Sequence, residues 1–435
     1  MSMELKFLKW LAVLAASTML YGSTNSEVAD CCPPPTPPKP CCEPKPCPPK
    51  PCCVPAKIIP NPPCNVCQDP CCPPMQVYNR NVNPPGHCLN MCANDMYVTG
   101  AFLWWIPDEA DFSLGFNQST PVVPPVAGTP GTAANGNVLR FGFNWDPGFR
   151  VGLGWQSHTF EGWDAYLSWT WYKNTTTQNA TATVAPTATG TTGIVPYWGS
   201  FNPSLTGISS LYGNMNAKWK LLYNMIDLEL GREFFVSCSL SLRPYVSVEG
   251  GWINRKWNVS YSNGFDSEFP ATATPSDSYS AKSKYWGIGP RAGLSGNWWL
   301  GSGFKFFGNL GGSILSGKVS KNSASHTHST STTTGVFTDQ SSYNEGSFYR
   351  SVPHLQAVVG AGWDTCFCCE KYRFIFTAGW EVNQYWNVPM MLYNDTTSSA
   401  FVSPAVAGFA TNFNRVNRSN NLSVSGLTAE VRFEF

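Results

Sequence analysis

The sequence predicts an all-β chain that closes into a transmembrane, antiparallel up-and-down β-barrel behind an extended N-terminal arm. Three observations predict this fold. Beyond residue 95, apolar and polar residues alternate with a period of two, which is typical of strands with two unlike faces. Only 13% of the residues are charged and 14% are aromatic, as in proteins whose surface faces lipid. The sequence has no run of about 18 apolar residues that could form a membrane-spanning helix.

Residues 1–24 are predicted to form a secretory signal peptide. Lys6 and Lys9 precede an uncharged, mostly apolar run over residues 10–21, and small residues follow at 22–24. This run is too short to cross ~30 Å of hydrocarbon as a helix. The rest of the chain is therefore expected to be secreted. In a membrane it must form a closed barrel, because only helices and barrels pair every backbone group in lipid.

Residues 25–94 are predicted to form a periplasmic arm rich in cysteine and proline. Eighteen prolines fall within residues 31–74, which excludes helix and sheet and favours a disordered or polyproline II chain. Disulfides are the expected state of cysteines in a secreted chain, and adjacent cysteines pair poorly with each other. The total of 17 cysteines is odd, so at least one is free or joins another chain. The predicted disulfide or cross-linking cysteines are Cys31, Cys32, Cys41, Cys42, Cys47, Cys52, Cys53, Cys64, Cys67, Cys71, Cys72, Cys88, Cys92, Cys238, Cys366, Cys368 and Cys369.

Two other uses of the arm cysteines are weaker alternatives. Cys64 and Cys67 lie about 20 residues before Cys88 and Cys92, a spacing that four zinc ligands tolerate. The excess of neighbouring cysteines makes this spacing unremarkable, so the sequence predicts neither a metal site nor any other cofactor. A redox-active pair at Cys64 and Cys67 is disfavoured because no βαβ pattern surrounds it.

The barrel is predicted to occupy residues 95–435. In its clearest strand, Trp163 and Trp169 point to one face while Asp164 and Thr170 point to the other. The predicted strands have the length that a tilted barrel strand needs to cross a membrane. They cover residues 96–106, 138–157, 162–173, 216–231, 239–260, 282–296, 299–316, 349–363, 372–385 and 421–435.

The connections between these strands alternate in length, as the external loops and periplasmic turns of an up-and-down barrel do. The long ones cover residues 107–137, 174–215, 261–281, 317–348 and 386–420, and the short ones cover 158–161, 232–238, 297–298 and 364–371. The strand over 138–157 requires a bulge at residues 145–148. Ten strands are favoured and twelve to sixteen are possible, and a hairpin hidden in the connection 174–215 or 386–420 would give twelve or fourteen.

The four cysteines outside the arm, Cys238, Cys366, Cys368 and Cys369, lie in or beside short connections. With the arm starting in the periplasm, every cysteine of the secreted chain would lie on the periplasmic side. The sequence therefore predicts cross-linking beneath the membrane, either within the protein, between copies or to a periplasmic partner.

The last predicted strand ends on an aromatic residue. Leu427, Val431, Phe433 and Phe435 share one face of this strand, and Arg432 lies on the other. A terminal aromatic that closes an alternating strand resembles the C-terminal signature recognised by the outer-membrane barrel assembly machinery. Phe433 and Phe435 are therefore predicted to act as the assembly signal.

Three segments of the barrel resemble the major outer membrane protein-like family of chlamydia-related bacteria and Legionella. They cover residues 145–172, 226–234 and 242–253, and the resemblance extends over about residues 94–435. It implies an outer-membrane β-barrel that acts as a porin and is often disulfide-linked into a cell-wall complex. The family has no catalytic motif to carry over. The arm at 31–74 is not a feature of the family at large.

The residues and the resemblance together predict a porin-like outer-membrane surface protein. It would let ions and small polar solutes diffuse passively and would contribute to a disulfide-cross-linked envelope. Charges of both signs across a narrow pore create a transverse field that selects among solutes. The predicted lumen residues are Arg150, Asp164, Asp227, Glu229, Arg243, Glu249, Arg291, Lys305, Arg373, Glu381, Glu430 and Arg432.

A purely structural, cross-linked wall protein or adhesin with a plugged barrel is the alternative. In that case the lumen charges would pair with each other and fill the interior, since small barrels leave little open space. The expected partners are outer-membrane lipid, the barrel assembly machinery, and further copies or other cysteine-rich envelope proteins joined by disulfides. A homotrimer is expected by analogy with porins alone. Nucleic acid is not an expected partner, because 28 basic residues face 27 acidic ones.

An enzyme is not expected, and an outer-membrane hydrolase is the remote alternative. The sequence has no GxSxG, HExxH or phosphate-loop motif. Of the histidines, only His354 could face the lumen at mid-strand, and Ser351 lies on the other face of that strand. His326 and His328 are predicted to lie in a solvated external loop and not in a metal site. No catalytic residue is predicted.

Overall fold

The computed structural model describes most of the chain that follows the arm. The described residues are 94–109, 113–122, 135–157, 162–187, 190–196, 210–237, 239–266, 272–333, 335–367, 372–389, 393–403, 406–416 and 419–435. The predicted signal peptide and the arm cysteines lie outside them, as do Cys238, Cys368 and Cys369. Within the described residues, no helix is long and apolar enough to cross a membrane.

The described residues form eighteen β-strands. In chain order these are β1 (Asn94–Glu109), β2 (Ser113–Val122), β3 (Asn135–Arg140), β4 (Asp146–Ser157), β5 (Trp163–Thr181), β6 (Ala185–Thr187), β7 (Gly190–Pro196), β8 (Ser210–Arg232), β9 (Phe234–Ser237), β10 (Leu240–Asp266), β11 (Thr274–Gly301), β12 (Phe304–Thr332), β13 (Gly335–Asn344), β14 (Phe348–Phe367), β15 (Tyr372–Pro389), β16 (Tyr393–Ser403), β17 (Val406–Val416) and β18 (Ser419–Glu434).

Ten of these strands form a closed antiparallel ring. Around the ring the order is β1, β4, β5, β8, β10, β11, β12, β14, β15 and β18, and β18 pairs again with β1. Each strand of the ring overlaps one of the predicted strands. The predicted all-β, ten-stranded up-and-down barrel is therefore confirmed.

The first and last strands close the ring. β1 pairs with β4 on one side and with β18 on the other, from Tyr97 opposite Glu434 to Glu109 opposite Leu422. The backbone of Phe435 also exchanges two hydrogen bonds with Met96, at 2.9 and 3.1 Å. Because both edges are used, the ring exposes no row of unpaired backbone groups to lipid.

The two ends of the barrel differ. At the turn end, strands are joined by short connections, and β1 begins and β18 ends there. At the loop end, β7, β2 and β3 extend the sheet from β8, and β13 pairs with β12. The connection 386–420 contains a hairpin of β16 and β17, but these strands pair with each other and do not join the ring.

Side chains alternate between lipid and lumen along each barrel strand. On β8, Ile226, Leu228 and Leu230 face outward and are 41–52% exposed, whereas Asp227 and Glu229 face inward and are 7–9% exposed. This alternation puts an apolar belt around the outside and polar groups inside, which is the arrangement of a barrel that sits in a bilayer.

All five predicted long loops are wrong in extent, because each contains residues that are strand in the structure, such as β2 in 107–137 and β7 in 174–215. Most of 261–281 and 317–348 is strand, because β10, β11 and β12 continue well beyond the apolar belt and β13 pairs with the extended part of β12. Beyond the belt the outward positions become Ser, Thr and Asn, as at Ser280, while inward residues such as Tyr279 remain buried. The apolar contrast between the two faces is then weak, so hydrophobic periodicity ends earlier than the strands do.

Two predicted boundaries are also wrong. The strand over 138–157 is divided into β3 and β4 by residues 141–145, so no bulge is needed, and β3 pairs with β2 and not with the ring. The turn predicted at 297–298 lies at 302–303. Gly301, Ser302 and Gly303 have φ values of 104°, 53° and 82° there, a backbone conformation that glycine adopts without steric cost.

A charged side chain on the outer face of the apolar belt is predicted to lower the free energy of unfolding of the barrel. Leu228→Arg places an arginine at the middle of the outward apolar run of β8, and we expect it to lower the free energy of unfolding by about 2–4 kcal/mol. The matched control is Tyr349→Arg at the loop end of β14, where the side chain is 79% exposed and the expected cost is about 0–1 kcal/mol. Denaturant titration of both variants in phospholipid bilayers measures the difference, and equal costs would contradict this placement of the belt.

Candidate lumen site

The turn-end half of the barrel encloses a polar cavity of about 270 Å³, which we call the lumen chamber. All ten strands of the ring contribute to its wall. Most of the predicted lumen residues line it, namely Arg150, Asp227, Glu229, Arg243, Glu249, Arg291, Lys305, Glu381, Glu430 and Arg432. The other two, Asp164 and Arg373, are buried in ion pairs on inward-facing positions of β5 and β15.

One ion pair crosses the chamber from β4 to β15. The guanidinium of Arg150 contacts Glu381 at 2.7 Å and also donates to Thr170 Oγ1 at 2.9 Å. Glu381 is fully buried and accepts further hydrogen bonds from Thr428 at 2.8 Å and Asn383 at 3.1 Å. A carboxylate buried to this degree requires such partners, because an unpaired buried charge is strongly unfavourable.

A second group of charges lies on β5, β8 and β10. Arg243 makes a forked contact with both carboxylate oxygens of Asp164 and a hydrogen bond to Glu229 Oε2 at 3.0 Å. Because these strands are neighbours in the ring, the planar guanidinium can bridge two carboxylates at once.

A third group joins β8, β10, β11 and β14. Arg291 contacts Asp227 at 2.6 Å and Glu249 at 4.0 Å. His354 Nδ1 lies 3.0 Å from Glu249, and its ring stacks on Tyr385 with centroids 4.1 Å apart. The structure thus places His354 in the interior, at the one mid-strand position where a lumen-facing histidine was expected.

A fourth group lies towards the turn end. Arg432 contacts Glu434 at 2.7 Å, and its guanidinium lies 3.5 Å from the centroid of the Tyr97 ring. Arg373 contacts Asp364 at 2.5 Å and Glu434 at 3.7 Å. This group alternates cations and anions, so its charges largely compensate each other.

Two charged residues of the chamber differ from the rest. Among the described residues, Lys305 and Glu430 form no ion pair, although both line the chamber wall. Lys305 is 7% exposed and its ammonium lies 5.7 Å from the centroid of the Trp299 ring.

The uncharged partners of these networks were not predicted. They include Gln356, Asn383, Thr428 and Tyr97, which hydrogen-bond or stack with the charged groups. They occupy the same inward-facing alternate positions of β14, β15, β18 and β1 as the predicted residues do. Strand parity could therefore have identified them, whereas a search limited to charged side chains could not.

An aromatic layer separates the chamber from the loop end. Its inward-facing members Trp105, Tyr172, Tyr223, Tyr285 and Tyr385 are at most 3% exposed. The hydroxyls of Tyr223 and Tyr385 are 2.8 Å apart, and the rings of Trp105 and Tyr172 pack with centroids 5.6 Å apart. These side chains therefore pack closely against one another, as in a protein interior.

A buried ion pair lies on the loop-end side of the aromatic layer. Glu109 of β1 contacts Arg255 of β10, and the exposed fractions of these two side chains are 0% and 1%. Trp219 Nε1 donates to Glu109 Oε2 at 2.9 Å, and Phe143 packs edge-on against Trp219 with centroids 4.9 Å apart. The carbonyl of Leu114 in β2 accepts a hydrogen bond from the inward-facing Tyr261 hydroxyl, so the segments after β1 cover the loop end of the interior.

Two further predictions concern histidine and cysteine. His326 and His328 do not lie in an external loop, since both belong to β12, where His326 contacts Asp277 and His328 lies 3.4 Å from the Tyr212 hydroxyl. The described residues contain no group of His, Cys, Asp or Glu side chains that could hold a metal ion.

Cys366 is buried at the turn end of β14 and is disulfide-bonded. The other predicted cross-linking cysteines lie outside the described residues.

The predicted assembly-signal residues lie at the turn end of β18. Phe433 stacks with Tyr372 and Phe435, with ring centroids 5.9 and 6.0 Å apart, and packs against Phe367. These rings form an outward-facing aromatic cluster at the edge of the apolar belt, as aromatic residues at membrane interfaces do.

Comparison with known proteins identifies relatives of this chain. The family described as Legionella pneumophila major outer membrane protein precursor matches residues 92–435. This match confirms the resemblance seen in the strand sequences. No curated protein matches the chain.

Several solved structures are similar to this chain. The outer membrane protease OmpT from Escherichia coli is 12% identical, with 78% of this chain and 97% of that chain covered and a TM-score of 0.31. A Pseudomonas aeruginosa FadL homologue is 8% identical, with coverages of 81% and 92% and a TM-score of 0.22. A major outer membrane protein from Thermus thermophilus is 10% identical, with coverages of 79% and 100% and a TM-score of 0.20.

The contribution of the buried ion pair of Glu109 and Arg255 to the stability of the barrel can be tested. Glu109→Gln removes the negative charge that pairs with the Arg255 guanidinium, and we expect the free energy of unfolding to fall by about 3–5 kcal/mol. The double variant Glu109→Leu/Arg255→Leu removes both charges, so its loss is expected to be smaller. Lys256→Met, one residue along β10, is the control and should be near neutral. Denaturant titration in bilayers tests the order, and a double variant that is less stable than Glu109→Gln would contradict it.

Proposed function

This chain belongs to the Legionella major outer membrane protein family, and we propose that it is a porin-like channel that admits ions and small polar solutes through its lumen chamber. Membership of this family and the β-barrel fold make it a protein of the bacterial outer membrane. The passive diffusion of solutes is the proposal.

The observation that carries the proposal is a chamber of about 270 Å³ lined by both acidic and basic side chains. Buried ion pairs are weak evidence of a stabilising role, because replacing them with packed apolar residues is often neutral or stabilising. A polar, charged wall is instead suited to hydrated ions and polar solutes. Arg243 faces Glu229 from a neighbouring strand, and Arg150 faces Glu381 from three strands away around the ring, so the field between these charges is transverse to the barrel axis.

The aromatic layer qualifies this proposal. It closes the loop-end side of the chamber, so passage from one end of the barrel to the other requires Tyr223, Tyr385 or their neighbours to move. We therefore propose a channel that is closed in this conformation and that opens by displacement of the layer and of the segments packed on it.

The second candidate is a structural, cross-linked wall protein whose barrel is chiefly an anchor. The same aromatic layer and the buried pair of Glu109 and Arg255 favour it, because both fill the interior. The two candidates differ in a single measurable property, which is conduction.

A hydrolase gains little support from the chamber. Ser313 and Glu249 both contact His354, as a nucleophile and an acid would. Both contact the same nitrogen, Nδ1, at 3.4 and 3.0 Å, and Nε2 lies near Asn383. A nucleophile-base-acid relay needs the serine and the acid on opposite ring nitrogens.

Cross-linking of the cell envelope is the second part of the proposal. The arm supplies most of the cysteines, and we propose that it lies in the periplasm and forms disulfides with other copies or with other cysteine-rich envelope proteins. The position of Cys366 at the turn end, where β1 begins after the arm, supports a common side for these cysteines.

Conductance tests the channel. In planar bilayers we expect the full chain to give small stepwise currents, and Tyr223→Ala/Tyr385→Ala to give currents several-fold larger because the aromatic layer is thinned. Phe376→Ala is the control, since this side chain is 43% exposed on the outer face of β15 and its loss should leave the current unchanged. Silence of both the wild type and the double variant, with heat-modifiable gel migration proving a folded barrel, would favour the structural candidate.

Gel mobility tests the cross-links. Without reductant the protein from its native envelope is expected to migrate as high-mass species that collapse when reductant is added. Serine at all thirteen cysteines of residues 31–92 should abolish these species, whereas Cys366→Ser alone should not, because Cys366 is buried. A monomer with and without reductant would count against the envelope role while leaving the channel unaffected.

A further inference from the structure

Lys305 and Glu430 are the two charges of the chamber that have no counter-ion among the described residues. The opposite charges around them are already engaged. Asp364 pairs with Arg373 at 2.5 Å, Arg150 pairs with Glu381 at 2.7 Å, and Arg432 pairs with Glu434 at 2.7 Å. A buried ammonium and a carboxylate without ionic partners are costly, so a ligand that neutralises them would be stabilised by both.

Lys305 and Glu430 lie on one row of the barrel wall. Lys305 is opposite Gly362, Gly362 is opposite Thr377, and Thr377 is opposite Glu430. The row crosses three strand spacings, which separates the Cα atoms by about 14 Å along the wall. Both side chains point inward to the chamber, but at this separation they do not reach each other.

The two positions between them hold small side chains. A Cβ atom at Gly362 would lie 2.8 Å from the Thr377 methyl and 3.3 Å from Lys305 Cε. Because Gly362 has no side chain, nothing projects from this position into the chamber between Lys305 and Glu430. The result is a trough with a cation at one end and an anion at the other.

We propose that the chamber binds a small zwitterion of amino-acid size, with its carboxylate on Lys305 and its ammonium on Glu430. A cavity of about 270 Å³ accommodates a molecule of this size. A singly charged solute satisfies only one of the two groups, and a neutral sugar satisfies neither. This inference rests on the proposed function, because it assumes that small polar solutes enter the chamber.

Equilibrium binding tests the inference separately from conduction. The full-length protein in detergent is titrated calorimetrically with glycine, β-alanine, γ-aminobutyrate and 5-aminovalerate, which increase the separation of the two charges. Acetate and ethylamine are the singly charged controls. We expect one zwitterion of this series to bind at least about tenfold more tightly than either control, since each charged hydrogen bond contributes separately.

Variants connect this preference to the two residues. Lys305→Met and Glu430→Gln should each reduce the affinity for that zwitterion about tenfold, and Lys305→Glu/Glu430→Lys should regain it with the ligand reversed. Lys173→Met removes an exposed lysine of β5 and should have no effect. Heat-modifiable migration verifies that each variant is folded, and the ligand series on the wild type needs no variant.

Either of two results overturns the inference: zwitterions that bind no more tightly than acetate and ethylamine, or folded single variants that bind like the wild type. If the protein conducts in planar bilayers but binds no zwitterion, the channel proposal is unaffected and the zwitterion site is refuted. Tight zwitterion binding without currents would support the site and refute the channel.

Discussion

The structure depends on one constraint, which is that every backbone N–H and C=O group in the lipid must be paired within the protein. A sheet meets this constraint only if it has no edge, so the first strand must pair with the last. The seam from Tyr97 opposite Glu434 to Glu109 opposite Leu422 does this. Once the sheet is closed, each strand has a lipid face and a lumen face, and the two-residue period assigns every side chain to one of them.

Closure with only ten strands also determines what the lumen can hold. A barrel of this size has an interior that side chains nearly fill. Long arginines therefore reach carboxylates two or three strands away around the ring, as Arg243 reaches Asp164 and Arg150 reaches Glu381. In the loop-end half the same narrowness brings Trp105, Tyr172 and Tyr223 into contact, and the interior there becomes an apolar core.

The two halves of the interior have different chemistry, and this difference bears on function. The chamber has the polar, charged wall of a solute pathway, and the aromatic layer has the packing of a plug. A single rigid barrel cannot both conduct and remain sealed, so the layer decides between the channel and the anchor. The hydrogen bond between Tyr223 and Tyr385, at 2.8 Å, shows that the layer is held by polar as well as apolar contacts.

The sequence by itself determined the fold class, a ring of at least ten strands and the inward face of the twelve charged residues assigned to the lumen. It could do so because a strand with lipid on one side and polar groups on the other alternates apolar and polar residues with a period of two. The polar Asp227 between the apolar Ile226 and Leu228 is an example of this alternation. The sequence could not show where strands extend beyond the lipid. There, residues such as Tyr279 and Ser280 alternate between the two faces, but no outward apolar residues mark the strand.

Only the tertiary structure decided which charges meet. Arg150 and Glu381 are 231 residues apart in the chain, and Lys305 and Glu430 share a row because of the register of four strands, which no local pattern encodes.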